Sequence, residues 1–252
     1  MTYQPPFAVT NSALNLVAEI CEMIGRWSHE TKGSLSPQLR RNNRIRTIHA
    51  SLAIENNSLS EKQVSAVIEG KTVLGERREI QEVRNAFLAY EEMPNWQMAS
   101  VDDLLKAHEI LMQGLIDEAG KFRSNLVGVY KDKTLIHMAP LADRVWHLTK
   151  NLLNWLEKSE SHPLISSCVF HYEFEFIHPF SDGNGRMGRL WQSLILSKWQ
   201  PILAFLPVET VVHKQQEHYY QALGACDKNG DSTLFIEFML NAIKTAMEEV
   251  VV

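Results

Sequence analysis

At 252 residues the chain has room for one core with a helical extension, but not for two large domains. Its formal net charge of −5 gives no general attraction to nucleic acid or to an anionic membrane, and no uninterrupted apolar run is long enough to span a bilayer. Cys21, Cys168 and Cys226 are an odd set without metal-like spacing, and residues 1–9 lack the charged-then-apolar layout of a signal peptide, so the expectation is a cytoplasmic chain with no membrane partner.

In chain order the pattern is helix after helix. Ser12 can cap a first helix carrying Leu16, Ile20, Met23, Ile24 and Trp27 at helical spacing, with Gly33 and Pro37 closing it. A second is expected over residues 38–55. Its Arg40-Arg41-Asn42-Asn43-Arg44-Ile45-Arg46 run has charge enough for a DNA-reading helix, but without the turn of such a module and in an acidic chain it reads as a solvated face. Nucleic acid is therefore not an expected partner. Ser60 and Gln63 form a capping box for a short helix ending at Gly70, and Ile80, Val83, Phe87 and Tyr90 mark another. Pro94-Asn95-Trp96 is the expected boundary between an N-terminal helical part, 1–95, and a core, 96–252.

Leu104, Leu105, His108, Leu111 and Leu115 predict the next helix. From Leu126 to Met138 the periodicity changes, and β-branched residues flanking Lys131-Asp132-Lys133 predict a small hairpin. Helices resume over 141–156, 164–176, after Asp182, over 210–225 and from Thr233 onward. His171, Glu173 and Glu175 lack a zinc spacing. Asp227-Lys228-Asn229-Gly230-Asp231 starts like a calcium loop but has Ser232 and Phe238 where glycine and glutamate are required.

The run His178-Pro179-Phe180-Ser181-Asp182-Gly183-Asn184-Gly185-Arg186-Met187-Gly188-Arg189 carries the chemistry. The apolar pattern of residues 190–199 makes it the start of a buried helix, so its glycines sit where unpaired N–H groups and the positive dipole end form an anion cradle. Gly183 and Gly185 let backbone approach phosphate, and Asn184 can cap the turn or donate its amide. Arg186 and Arg189, spaced i, i+3, put two phosphate-binding guanidiniums on one face. Asp182 is a hard oxygen ligand suited to magnesium carried by a nucleotide, and His178 titrates where a general base for a hydroxyl should. A lone Asp-Gly is usually a turn and a lone histidine usually structural; all of these in one order is the signal.

The run resembles the signature of the Fic (filamentation induced by cAMP) family, His-x-Phe-x-(Asp/Glu)-Gly-Asn-Gly-Arg-x-x-Arg, at every defined position. Gly120-Lys121-Phe122-Arg123, the 127–138 segment and Tyr219-Tyr220-Gln221-Ala222-Leu223 also resemble family positions. The resemblance implies an all-α, Fic-like helical bundle with one small β-hairpin flap. It implies an enzyme that moves AMP from ATP, with Mg2+, to a Ser, Thr or Tyr hydroxyl of a protein target, releasing pyrophosphate. His178 would be the base. Asp182 would hold the metal, and the ATP site would span Asp182, Gly183, Asn184, Gly185, Arg186, Met187, Gly188 and Arg189. Tyr219 or Tyr220 would lie near adenine, although Asp227 or Asn229 stands where many relatives place an adenine-contacting asparagine. Ile136 and His137 on the flap would register the target's main chain.

Ser51-Leu52-Ala53-Ile54-Glu55-Asn56 resembles the family's inhibitory motif, (Ser/Thr)-x-x-x-Glu-(Gly/Asn), which gives Ser51, Glu55 and Asn56 a regulatory role. The Glu55 carboxylate is expected on Arg189, in the γ-phosphate's place. A hydrolase that removes AMP, or a bifunctional enzyme using Glu55 to orient water, shares every one of these residues. A non-catalytic peptide-binding module would need none of His178, Asp182, Arg186 and Arg189. Auto-modification and a homodimer stay open.

Overall fold

The computed structural model describes residues 3–30, 35–131 and 134–250. Gly33, Asp132 and Lys133, part of the helix stop and hairpin tip expected from sequence, lie outside the described residues. Helix α1, Asn11–Glu30, buries Ala13, Leu16, Ile20, Ile24 and Trp27 against α11, Thr233–Val250. Its cap is Thr10 rather than Ser12: Thr10 Oγ1 accepts the Ala13 N–H at 3.0 Å, because the helix starts two residues earlier than Ser12 requires.

Helix α2, Pro37–Ile54, starts on the Ser36 cap with proline at its first turn and is buried on several sides by its neighbours. This corrects the solvated-face reading of its basic run. Arg41 and Arg46 do face outward toward Glu69 and Glu249, but Asn43 and Arg44 are buried. The Arg44 guanidinium lies 4.7 Å from the Tyr90 ring centroid and 5.1 Å from that of Phe205, a planar cation fitted between aromatic faces. Asn56 follows with φ of 67°, a left-handed conformation that asparagine tolerates, and turns the chain out of the helix immediately after Glu55.

Helix α3, Glu61–Ile68, has the Ser60–Gln63 capping box, and α4, Arg77–Glu92, runs into a short 3-10 turn at Met93–Asn95. Helix α5, Val101–Met112, stops before Leu115, where Gly114 adopts φ of 71°. Strands β1, Gly128–Lys131, and β2, Thr134–Met138, form the hairpin; Val129 pairs with His137 and Tyr130 with Leu135, so Ile136 falls at a register slip. Helix α6, Ala142–Lys158, precedes α7, Pro163–Ile177, which is buried along nearly all of its length.

Helix α8, Asn184–Trp199, returns along α7 and is stopped by a 3-10 turn at Pro201–Phe205. The single helix expected over 210–225 is two, α9, Val208–Lys214, and α10, Gln216–Asn229. A straight helix would carry the stripe of Val208, Val211 and Val212 through Gln215 or Gln216; the break lets both pieces keep apolar residues inward. One continuous buried core runs from α1 to α11, and no helix among the described residues is long and apolar enough to cross a membrane.

Candidate active site

The site forms where α7 turns into α8. His178 leaves α7 in a left-handed conformation, φ 50°, its N–H still donating to Phe174 O at 2.9 Å. The buried Arg123 fixes this corner from behind, giving Nε to His178 O at 2.7 Å and Nη1 to Asn125 O at 2.8 Å. Nδ1 of His178 lies 3.3 Å from Glu175 O, and a carbonyl can only accept, so Nδ1 carries a proton and the lone pair of the ring's neutral form falls on Nε2. That is the tautomer a general base needs.

Asn184 closes the intervening loop, its amide accepting from Phe180 N at 2.9 Å and donating to Phe180 O at 2.8 Å. Its side chain is therefore spent on the loop. Gly183, φ 84°, opens α8 and packs against Met112 where a Cβ would collide. The ring of His108, from α5, stacks on Phe180 with centroids 3.6 Å apart. Its Nδ1 accepts the Gly120 N–H at 2.9 Å, which leaves Nε2–H to donate to Asp182 O at 3.0 Å. Burial pushes the His108 pKa down to about 4, so it works as a neutral clamp on the cradle's first residue.

Asp182 and Arg186 form one end of the cradle. Oδ1 of Asp182 accepts from Gly183 N at 2.6 Å and from Arg186 Nη2 at 3.0 Å, while Oδ2 accepts from Arg78 Nη2 of α4 at 3.2 Å. Arg186 is buried and also lies 3.5 Å from Glu82, one turn beyond Arg78 on α4.

Arg189 forms the other end, and α2 covers it. Its Nε donates to Ser51 Oγ at 3.0 Å and its Nη2 to Ser51 O at 3.0 Å and to Glu55 Oε1 at 2.7 Å. The same Glu55 oxygen sits over Gly185, where any Cβ would strike it. Burial by itself would lower the Arg189 pKa; the Glu55 carboxylate, with help from Tyr219, overcomes this and holds the guanidinium charged. Gln216 Nε2 donates to Ile54 O at 3.0 Å, fixing the end of α2 to α10.

The remaining expected residues divide. Met187 and Gly188 face the core: Met187 is fully buried, and Gly188 lets α8 approach His171 and Glu175 of α7 more closely than a Cβ would permit. Tyr219 is buried with its hydroxyl 3.1 Å from His171 Nε2, while Tyr220 beside it is half-buried. Asp227 accepts from Tyr172 Oη at 3.0 Å. The backbone of Ile136 and His137 lies on β2. His108, Arg78 and Glu82 join the site without having been singled out from sequence for a role there, and Arg123 was marked only as part of the Gly120–Arg123 resemblance. A polar histidine between Leu104 and Leu111 on an apolar stripe was the signal for His108. Arg78 and Glu82 look like any i, i+4 pair on a charged helix.

The pattern of the Fic/DOC family matches residues 98–196. The chain is similar over 99% of its length to a Fic family protein from Desulfovibrio desulfuricans G20 of known crystal structure, with 59% identity, a TM-score of 0.96 and 77% of that chain covered. Fic-1 of Caenorhabditis elegans shares the fold at 21% identity, TM-score 0.76, covering 95% of this chain and 72% of that one. The protein adenylyltransferase Fic of Nematostella vectensis is 28% identical over 80% of this chain and 47% of its own. The protein adenylyltransferase fic-1 of Caenorhabditis briggsae is 30% identical over 76% of this chain and 38% of its own. The chain thus spans less than half the length of these two adenylyltransferases.

Proposed function

Because the chain belongs to the Fic family, we propose that it transfers AMP from ATP to a hydroxyl side chain of a protein target and that Glu55 restrains this reaction. The observation that carries the reading is the convergence on one helix start of a histidine in the base tautomer, two guanidiniums and a carboxylate, with the Glu55 carboxylate lying across Gly185 on Arg189.

In this reading His178 Nε2 takes the proton of a serine, threonine or tyrosine hydroxyl as its oxygen attacks the α-phosphorus. The bond from that phosphorus to the bridging oxygen breaks and pyrophosphate leaves. The first amides of α8 face the developing charge, and Arg186 and Arg189 hold the β- and γ-phosphates in line. Asp182, half-exposed beside the cradle, would hold the magnesium that neutralises phosphate charge. Among the described residues no three His, Cys, Asp or Glu side chains cluster to hold a metal, so most of that shell would come from the nucleotide and water. Strand β2, with Ile136 and His137, would offer its edge to the target's main chain. Residues 1–95 would regulate and 96–252 catalyse.

Glu55 on Arg189 occupies the ground a γ-phosphate needs, which forces bound ATP into an unreactive pose. A second reading rests on the same carboxylate, whose side chain is 32% exposed at the cradle's mouth: there it could orient a water that removes AMP from a modified protein. Incubation with isotopically labelled ATP and a lysate, followed by mass spectrometry, tests the transfer. A mass gain of AMP on a hydroxyl residue is expected. A different adduct, or none with Glu55 replaced by glycine, would overturn it.

A further inference from the structure

Neither oxygen of Asp182 is uncommitted. Oδ1 holds the Gly183 N–H and Arg186, and Oδ2 holds Arg78. A divalent cation on this carboxylate must displace one of these donors. The Gly183 amide is fixed by the helix start and the Arg186 side chain is only 5% exposed, but the Arg78 side chain is 53% exposed. Arg78 also has somewhere to go: its Nε already lies 3.5 Å from Glu82, so it keeps a carboxylate partner after leaving Asp182. An exposed Arg–Asp pair is ordinarily a surface contact of little weight. This one differs in its place, since it closes the metal-binding end of the same short turn whose other end is closed by Glu55.

We propose that Arg78 stands in for the divalent cation on Asp182, as Glu55 stands in for phosphate on Arg189, so that two helices, α2 and α4, plug the nucleotide site with one charge of each sign. Arg78 is on this account a residue that competes with metal loading, and the inference rests on the reading of Asp182 as the metal ligand. Manganese reports it directly: Mn2+ is titrated into the full chain holding a non-hydrolysable ATP analogue, and free Mn2+ is read by electron paramagnetic resonance. Arg78→Gln should tighten Mn2+ roughly two- to fivefold, the scale of an exposed ion pair, and Arg78→Lys should keep most of the wild-type weakness. Affinity for the analogue in EDTA should not change in either variant. Unchanged or weaker Mn2+ binding in Arg78→Gln overturns the proposal, as does a loss of metal-free nucleotide affinity, which would make Arg78 a phosphate ligand. Asp182→Asn separates the two layers. If it weakens Mn2+ binding while Arg78→Gln gains nothing, the competition alone fails; if it has no effect, the ligand reading falls and takes the competition with it.

Discussion

The two ends of the cradle are closed in different ways. At Arg189 three hydrogen bonds of 2.7 to 3.0 Å reach a guanidinium whose side chain is only 2% exposed. At Asp182 the N-terminal helices contribute only the Arg78 contact of 3.2 Å, between side chains that are 53% and 42% exposed. Taking an acceptor from the buried Arg189 guanidinium costs about 1–3 kcal/mol even though the Glu55 side chain is itself 32% exposed, whereas a pair exposed on both sides is worth about 0–1 kcal/mol. The N-terminal helices therefore place a strong lock on the proposed γ-phosphate side and a weak latch on the proposed metal side.

In the proposed reaction both ends serve His178, which neither contact touches. His178→Ala should lower transfer ~10²- to 10⁴-fold with nucleotide affinity nearly intact, as single-turnover kinetics and calorimetry would show. Undiminished target labelling would remove the base from the scheme. At the strong end, Arg189→Ala made in the Glu55→Gly background, where the guanidinium is open to phosphate, should weaken ATP about ten- to a hundredfold, the worth of a charged hydrogen-bond donor, and AMP far less. Calorimetry giving equal losses for ATP and AMP would take the β/γ-phosphate role from Arg189.

Dryness at this end also predicts a pH response. His171, fully buried between Gln192 and Tyr219, has its pKa pushed down to about 3 by burial. The unfolded chain takes up that proton first, near pH 6.5, so the contribution is complete above about 6.5. It should fall by about 1.4 kcal/mol per unit as pH drops toward 3. Urea unfolding at a series of pH values should show the decline, and His171→Gln should lose that group's share; an unchanged slope would mean the ring is not held neutral. The mildest change is Ser51→Ala, which leaves the Arg189 Nε–H short of its acceptor at a cost of about 1–3 kcal/mol. It should loosen inhibition less than loss of Glu55 does, because the Ser51 carbonyl and Glu55 remain on Nη2. Full activation by Ser51→Ala would put the lock in the hydroxyl instead.

What could be read from sequence follows the same division. Helix periodicity, the capping box at Ser60 and the hairpin around 126–138 are local, and they placed most elements. The 178–189 run and the Ser51–Asn56 motif are local as well, and together they imply the Glu55–Arg189 contact that the structure contains. Arg78 on Asp182 and Arg123 behind His178 are meetings of distant segments that nothing periodic announces, and the apolar stripe that marks His108 does not name its partners Gly120 and Asp182. Arg44 was misread for that reason: a charge run looks solvated until the aromatic faces of Tyr90 and Phe205 are brought to it. The break at Gln215 was readable in principle, since two glutamines interrupt the apolar stripe.

The most direct test of the lock is the transfer rate of Glu55→Gly against wild type, measured as labelled AMP incorporated per chain, with ATP affinity followed in parallel. The account predicts incorporation at least about tenfold faster, since the variant removes the anion from Arg189 and leaves His178, Asp182 and both arginines in place. Equal incorporation by the two folded proteins would contradict it and reduce Ser51–Asn56 to a helix end.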